Sequence, residues 1–197
     1  LTSLTEARDL KLMLTSPFNL FDGVMAKIRR ETENAQAGRK AHIIVKVNSL
    51  NEPNVINALY EASQAGVKIE LIVRGICTLR PGVLGLSDNI TVRSILGRFL
   101  EHSRVYYFYN DGDEEIYCAS ADWMERNLLR RNESCFPVRQ KTLKEQVKRD
   151  LELYLADNCN AWVLHGDGSY ERLAPGDDGE PVSAQETLLQ LLASPSS

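Results

Sequence analysis

The sequence predicts an α/β domain with a mixed, mostly parallel sheet flanked by helices, and three observations carry that reading. First, Ala41-His42-Ile43-Ile44-Val45-Lys46-Val47 and Lys68-Ile69-Glu70-Leu71-Ile72-Val73 are short runs rich in β-branched residues, the signature of buried strands. Second, Glu52 to Ala65 between them reads as a helix, with Pro53 in its first turn and Gly66 at its end. Strand, helix and strand in that order form a parallel unit, because parallel neighbours need a long crossover. Third, His102 to Tyr109 and Glu115 to Ala119 alternate as strands around a turn at Asn110 to Asp113. A connection that short permits only an antiparallel pair.

The remaining elements follow in order. Apolar residues at Leu20, Phe21, Val24, Met25 and Ile28 predict an amphipathic helix over Phe18 to Ala37, with Pro17 before it and Gly38 after it. Residues 75–88 carry Gly75, Pro81, Gly82, Gly85 and Asp88 and form a loop. Asn89 to Ser94 is a short strand, after which Gly97 breaks the chain. Cys135 to Val138 is one more strand, which Pro137 assigns to an edge. Leu143, Val147, Leu151, Leu153, Tyr154 and Leu155 give the apolar side of a helix over Lys141 to Ala156. Ala161 to Leu164 and Ser169 to Leu173 flank a turn at 165–168 and predict a hairpin, and Ser183 to Leu192 a terminal helix.

Composition limits the classes of function. With 197 residues the chain can bury one core and carry a small appendage. Hydrophobic residues at 43% and charged residues at 25% are ordinary for a globular domain, and no run approaches the roughly 18 apolar residues of a membrane span. The start resembles no secretory signal, and its lack of an initiator Met suits a processed chain or an excised fragment. Cys77, Cys118, Cys135 and Cys159 form no Cys-x-x-Cys pair, so they read as buried, reduced and structural, as in a reducing cytoplasm. From Asp157 onward seven acidic residues face Arg172 alone, a net of −6; with −4 overall, residues 1–156 carry +2. Local potential, not the total, is what an anion meets.

Lys46 and Asn48 close the first predicted strand and Arg74 the second, and ligands of open α/β sheets bind beyond such strand ends. A lysine and an arginine brought together there suit phosphate oxygens; two charges snorkelling at strand ends is the alternative. His102 and Arg104, two apart on a predicted strand, share a face. Such an imidazole can relay a proton while the guanidinium holds an anionic oxygen, or it can be a histidine satisfied by hydrogen bonds at a strand start. Ser120 and Asp122 can cap a turn or helix, and Asp122 can orient a histidine. Arg126, Arg130 and Arg131 bind anions or pair with Glu125 and Glu133. No Gly-x-x-x-x-Gly-Lys-Ser/Thr loop is present, so side-chain cations must hold any nucleotide. The aromatic run Tyr106 to Tyr109 alternates, and burial of half of it argues against stacking on nucleic acid.

Several blocks, in one order, give the chain a family resemblance. They are Lys46-Val47-Asn48-Ser49-Leu50, Leu59 to Ile69, Ile72-Val73-Arg74-Gly75-Ile76-Cys77, Leu79-Arg80-Pro81-Gly82, Gly97-Arg98-Phe99-Leu100-Glu101-His102-Ser103-Arg104, and Ser120-Ala121-Asp122-Trp123-Met124 with Arg126-Asn127-Leu128. In them the chain resembles the carboxy-terminal region of the long bacterial polyphosphate kinases. The resemblance implies a phospholipase D-like domain over 18–158, the second of two catalytic domains. Residues 1–17 would be the end of the preceding domain or a linker, and 159–197 an acidic appendage of hairpin and helix. It implies reversible transfer of the ATP γ-phosphate to inorganic polyphosphate through a phosphohistidine upstream of this chain. His102, Arg104 and Lys46 would then be catalytic, with Arg74, His102, Arg80, Asn48 and Asp122 binding ATP or polyphosphate. Magnesium ligands are expected in the missing upstream domain and none here. The fragment alone is expected to be inactive, and the whole a homo-oligomer in the cytoplasm, free or peripheral at the inner membrane, without nucleic acid as a partner.

Overall fold

The computed structural model describes residues 12–176 and 179–193. The first eleven residues of the expected 1–17 stretch, and Asp177 and Asp178 of the acidic tail, lie outside the described residues. The chain forms β1 (Leu14–Ser16), α1 (Leu20–Gln36), β2 (His42–Val47), α2 (Pro53–Gln64), β3 (Lys68–Val73), β4 (Ile90–Ile95), β5 (Arg104–Phe108), β6 (Glu115–Ala119), α3 (Glu125–Leu129), β7 (Glu133–Pro137), α4 (Lys141–Ala156), β8 (Ala161–Leu164), β9 (Tyr170–Arg172) and α5 (Ala184–Ala193).

The described strands make one sheet in the order β1-β7-β6-β5-β2-β3-β4-β8-β9. It is mixed and flanked by helices, but its expected predominance of parallel pairs is corrected. Only β2–β3 and β3–β4 are parallel, and the other six pairings are antiparallel. Connection length accounts for the two parallel pairs and for two of the antiparallel ones, and the sheet edges chosen by the more distant strands account for the rest. A helix joins β2 to β3 and a long loop joins β3 to β4, whereas β5–β6 and β8–β9 turn back within a few residues. The hairpin β8–β9 pairs with β4 and so continues the same sheet.

Each central strand feeds two cores by its period of two. Ile43, Val45 and Val47 pack with Ile69, Leu71, Val73 and Phe108 under α1 and α2, alongside Leu20, Ile28 and Leu59. Ile44, Ile72, Val105, Tyr107 and Ile116 pack on the other face against Leu151 of α4. Lys46 occupies this second face, with its ammonium 4.9 Å from the ring centre of Tyr154.

Helix α2 begins where Glu52 accepts the Val55 N–H at 2.6 Å with Pro53 at its first position, and ends where Gly66 takes φ +97°. The region of β7 departs from expectation. It is not an edge strand, because β1 pairs with Glu133 to Cys135 on its outer side. Pro137 is tolerated because β7 addresses β6 through Ser134 and Val138, whose carbonyl and amide are bonded to Ser120 and Ile116. Residue 137 faces the other way, beyond the last paired residue of β1.

The four cysteines are free thiols, and burial pushes Cys135 up to about 12 and Cys77 up to about 11. Both therefore stay protonated and unreactive at neutral pH. Among the described residues no helix is long and apolar enough to cross a membrane. Leu59 is fully buried in the first core, so Leu59→Ala is expected to lower unfolding free energy by about 2–5 kcal/mol, measured by urea denaturation of this chain.

Candidate functional site

At the carboxyl ends of β2 and β3 the loops interlock. Leu50 donates its N–H to Ile76 O (2.8 Å) and accepts from Thr78 N–H, while Asn51 donates to Trp123 O and Ser49 O accepts from Trp123 N–H. The segment after β2 is thereby held between the segments after β3 and β6. Gly75 makes the closest approach. Its N–H donates to Asn48 O at 2.7 Å, and a Cβ on it would lie 2.7 Å from that same oxygen. Glycine at 75 therefore lets Arg74 come up against Asn48.

The side chains then join in one line. Arg74 Nε donates to Asn48 Oδ1 and to Glu101 O, both at 2.6 Å. The Asn48 backbone N–H (2.7 Å) and side-chain amide (3.1 Å) donate to Asp122 Oδ1. Arg104 grips the same carboxylate with two parallel bonds, Nε to Oδ1 at 3.2 Å and Nη2 to Oδ2 at 3.1 Å. Its Nη1 reaches back to His102 O at 2.9 Å and lies 3.2 and 3.3 Å from the two ring nitrogens of His102. Near-equal distances to both nitrogens put the guanidinium over the imidazole face. His102 itself is exposed. The expected closeness of His102 and Arg104 is present, but their placement on one strand is corrected: β5 begins at Arg104, and His102 lies in the segment just before it.

Burial pushes the Asp122 carboxyl up, but Arg104 and the Asn48 N–H outweigh it and hold the group below the usual range. Burial pushes the Lys46 ammonium down, Glu101 opposes this, and the charges of Arg74 and Arg104 add to the lowering. Lys46 is only 2% exposed. Its Nζ sits 2.9 Å from Glu101 Oε2 and donates to Ser103 Oγ at 2.8 Å, so it holds both neighbours of His102. Three cations thus face two carboxylates. A groove of ≈ 340 Å³ runs along Arg74 and residues 95–101 beside this network.

The other expected residues are placed as follows. Arg80 is exposed on the loop after β3; its N–H donates to Tyr60 Oη, and its carbonyl accepts from Ser87. Among the described residues, the bonds of the Asp122 network do not include its side chain. Ser120 does not cap a helix, since Met124 precedes α3; its hydroxyl joins Glu133 and the Ser134 N–H. Arg130 pairs with Glu125, whereas Glu133 takes Asn127 and Ser120 instead of an arginine. Sequence reasoning missed Glu101 as the counter-charge of Lys46, although a lysine in a strand buried on both faces signals that a carboxylate must meet it. It also missed Tyr154 and Gln185, which arrive from distant helices.

A larger cavity of ≈ 580 Å³ opens at the opposite ends of β2 and β3, around His42, Glu70, Tyr107 and Lys148. Its three lysines, Lys40, Lys68 and Lys148, are matched by Glu70, Glu114 and Glu152, so it lacks the surplus charge that a phosphate chain needs. Among the described residues no three His, Cys, Asp or Glu side chains converge as metal ligands, and Glu101 and Asp122 are both already held by cations. These residues do not fit a magnesium site.

Because the Asp122 carboxyl lies below its ordinary value of about 3.9, its stabilisation is present above that pH and lost as pH falls through the folded value. Asp122→Asn is expected to cost about 3 kcal/mol at neutral pH by stranding Arg104. It should also flatten the fall in stability below pH of about 4, which denaturant midpoints measured across pH will read.

Comparison with known proteins gives the family and the fold. The family described as polyphosphate kinase C-terminal domain 2 matches residues 13–185. Polyphosphate kinase of Pseudomonas aeruginosa is 58% identical over 186 residues, which is 94% of this chain and 27% of that protein. The crystal structure of polyphosphate kinase from Porphyromonas gingivalis superposes with TM-score 0.88 at 39% identity, covering 92% of this chain and 28% of the other. Nuc of Salmonella typhimurium, a phospholipase D family member, has TM-score 0.51 at 15% identity over 71% of this chain and 90% of its own, a likeness of fold alone. The chain therefore spans little more than a quarter of the kinases it matches, has a phospholipase D-like fold, and belongs to the polyphosphate kinase family through that family's C-terminal domain 2.

Proposed function

We propose that this chain is the carboxy-terminal part of a polyphosphate kinase that reversibly transfers the γ-phosphate of ATP to inorganic polyphosphate through a phosphohistidine outside these 197 residues. One observation carries the reading: the unbroken line Arg74–Asn48–Asp122–Arg104–His102 at the carboxyl ends of the central strands. Phosphoryl transfer asks the protein for little covalent chemistry and much positioned positive charge. Arg74 is anchored through Nε, so its terminal nitrogens would meet phosphate oxygens. Arg104 is fixed by Asp122 and lies across His102, whose exposed ring would take or give a proton at the reacting oxygens.

Lys46 acts one step back. With its amine spent on Glu101 and Ser103, it fixes the residues on either side of His102. Asn48 passes the position of Asp122 to Arg74, and Arg80 adds exposed charge on the approach. Magnesium ligands, the phosphohistidine and the remaining domains belong to the rest of a longer polypeptide, which would assemble as a homo-oligomer in the cytoplasm.

In a complete polyphosphate kinase carrying this sequence, His102→Ala is expected to cut ATP-dependent polyphosphate synthesis about 10²- to 10⁴-fold. Arg74→Ala is expected to raise the KM for ATP by about tenfold, the loss of one charge-assisted contact. Wild-type turnover and ATP affinity in His102→Ala would remove the assignment. The 197-residue chain alone should make no polyphosphate, and synthesis by it would place the whole reaction within these residues.

A further inference from the structure

The segment carrying His102 has little burial of its own. Residues 96–100, just before Glu101, are exposed, including Leu96, Phe99 and Leu100. Hydrogen bonds must fix it, and three of them converge from one residue of the last helix. Gln185, in the first turn of α5 and 6% exposed, spends its whole side-chain amide on this segment. Its Oε1 accepts the Phe99 N–H at 3.0 Å, and its Nε2 donates to Phe99 O at 2.8 Å and to Glu101 Oε1 at 2.6 Å. The other oxygen of Glu101 is the one that meets Lys46 at 2.9 Å. Gln185, Glu101 and Lys46 thus form a strut that continues to Ser103 Oγ, with His102 between its two attachment points.

Two further features show the strut to be built in. Helix α5 is fixed at its start by Asp157, fully buried at the end of α4, whose Oδ2 accepts the Ala184 N–H at 2.8 Å. On the other side Gly97 makes room: a Cβ there would lie 2.4 Å from Gln185 Oε1 and 2.8 Å from its Cδ. An amide held by three hydrogen bonds cannot yield that space and keep its partners.

We infer that Gln185 is a positioning residue for His102, acting through Phe99 and Glu101. This rests on the reading of His102 as part of the phosphoryl-transfer site. Small displacements at such a site cost rate out of proportion to their size, up to about 10²-fold per ångström. The test uses the complete kinase, ATP-dependent polyphosphate synthesis and thermal unfolding. Gln185→Ala is expected to lower kcat about 10-fold, with the unfolding midpoint changed by less than about 3 °C. Gln185→Glu, of the same size, loses both donated bonds and sets a carboxylate against Glu101, so its loss should equal or exceed that of Gln185→Ala. Gly97→Ala should cost about 10-fold in the parent enzyme but less than about 2-fold in the Gln185→Ala background, where its methyl meets no amide.

Turnover within about 2-fold of the parent in Gln185→Ala overturns the inference. So does a Gly97→Ala loss of equal size in both backgrounds, or a rate loss that follows thermal unfolding. If His102→Ala keeps full turnover, the reading of the site fails instead, and that failure is seen without any change at Gln185.

Discussion

The carboxylate of Asp122 is the point on which three chain segments close. It receives the backbone and side chain of Asn48 from the end of β2 and the guanidinium of Arg104 from the start of β5, and Asn48 in turn receives Arg74 from the end of β3. A buried carboxylate tolerates this position only because every approach to it is a donor. The same requirement orders the cations. Arg104 and Arg74 cannot drift toward solvent without unpairing Asp122 or Asn48, so their positions are settled before any ligand arrives, which is what electrostatic stabilisation of a spreading charge requires.

Around this centre the two faces of the sheet divide the labour. Odd-numbered residues of β2 lie in the core under α1 and α2, and even-numbered residues look toward α4. Lys46 falls on the α4 side, where Tyr154 and Glu101 receive it; burial first, and then Glu101, raise the Tyr154 hydroxyl above its usual range. The site is therefore supported from a layer to which none of its exposed residues belongs.

Much of this was legible in the residues. The Val- and Ile-rich runs at 41–47 and 68–73 and the spacing within 141–156 are strong local patterns, and the elements form there. Lys46, Asn48 and Arg74 end strands, and the structure joins Arg74 to Asn48 directly and brings Arg74 and Lys46 together on Glu101, the first on its backbone carbonyl and the second on its carboxylate. What stayed hidden is non-local. Leu14-Thr15-Ser16 is too short to show a period, yet it covers β7 and moves that strand off the edge. The prevalence of antiparallel pairs depends on which edges the outer strands choose, and local composition carries no such information. Gln185 reaches its partners from 84 and 86 residues away, and nothing near it marks the connection.

The two margins of the sheet have a consequence for how the molecule behaves in a crowd. Its outermost strands, Leu14–Ser16 and Tyr170–Arg172, are three residues each, the shortest of the described strands. All three residues of the second are exposed, Glu171 and Arg172 among them. A broad sheet with long outer strands would invite a neighbour to add to it through unpaired amides and carbonyls. Here each rim offers only a few such groups, one rim dotted with charge, so the sheet gives little foothold for sideways growth into aggregates.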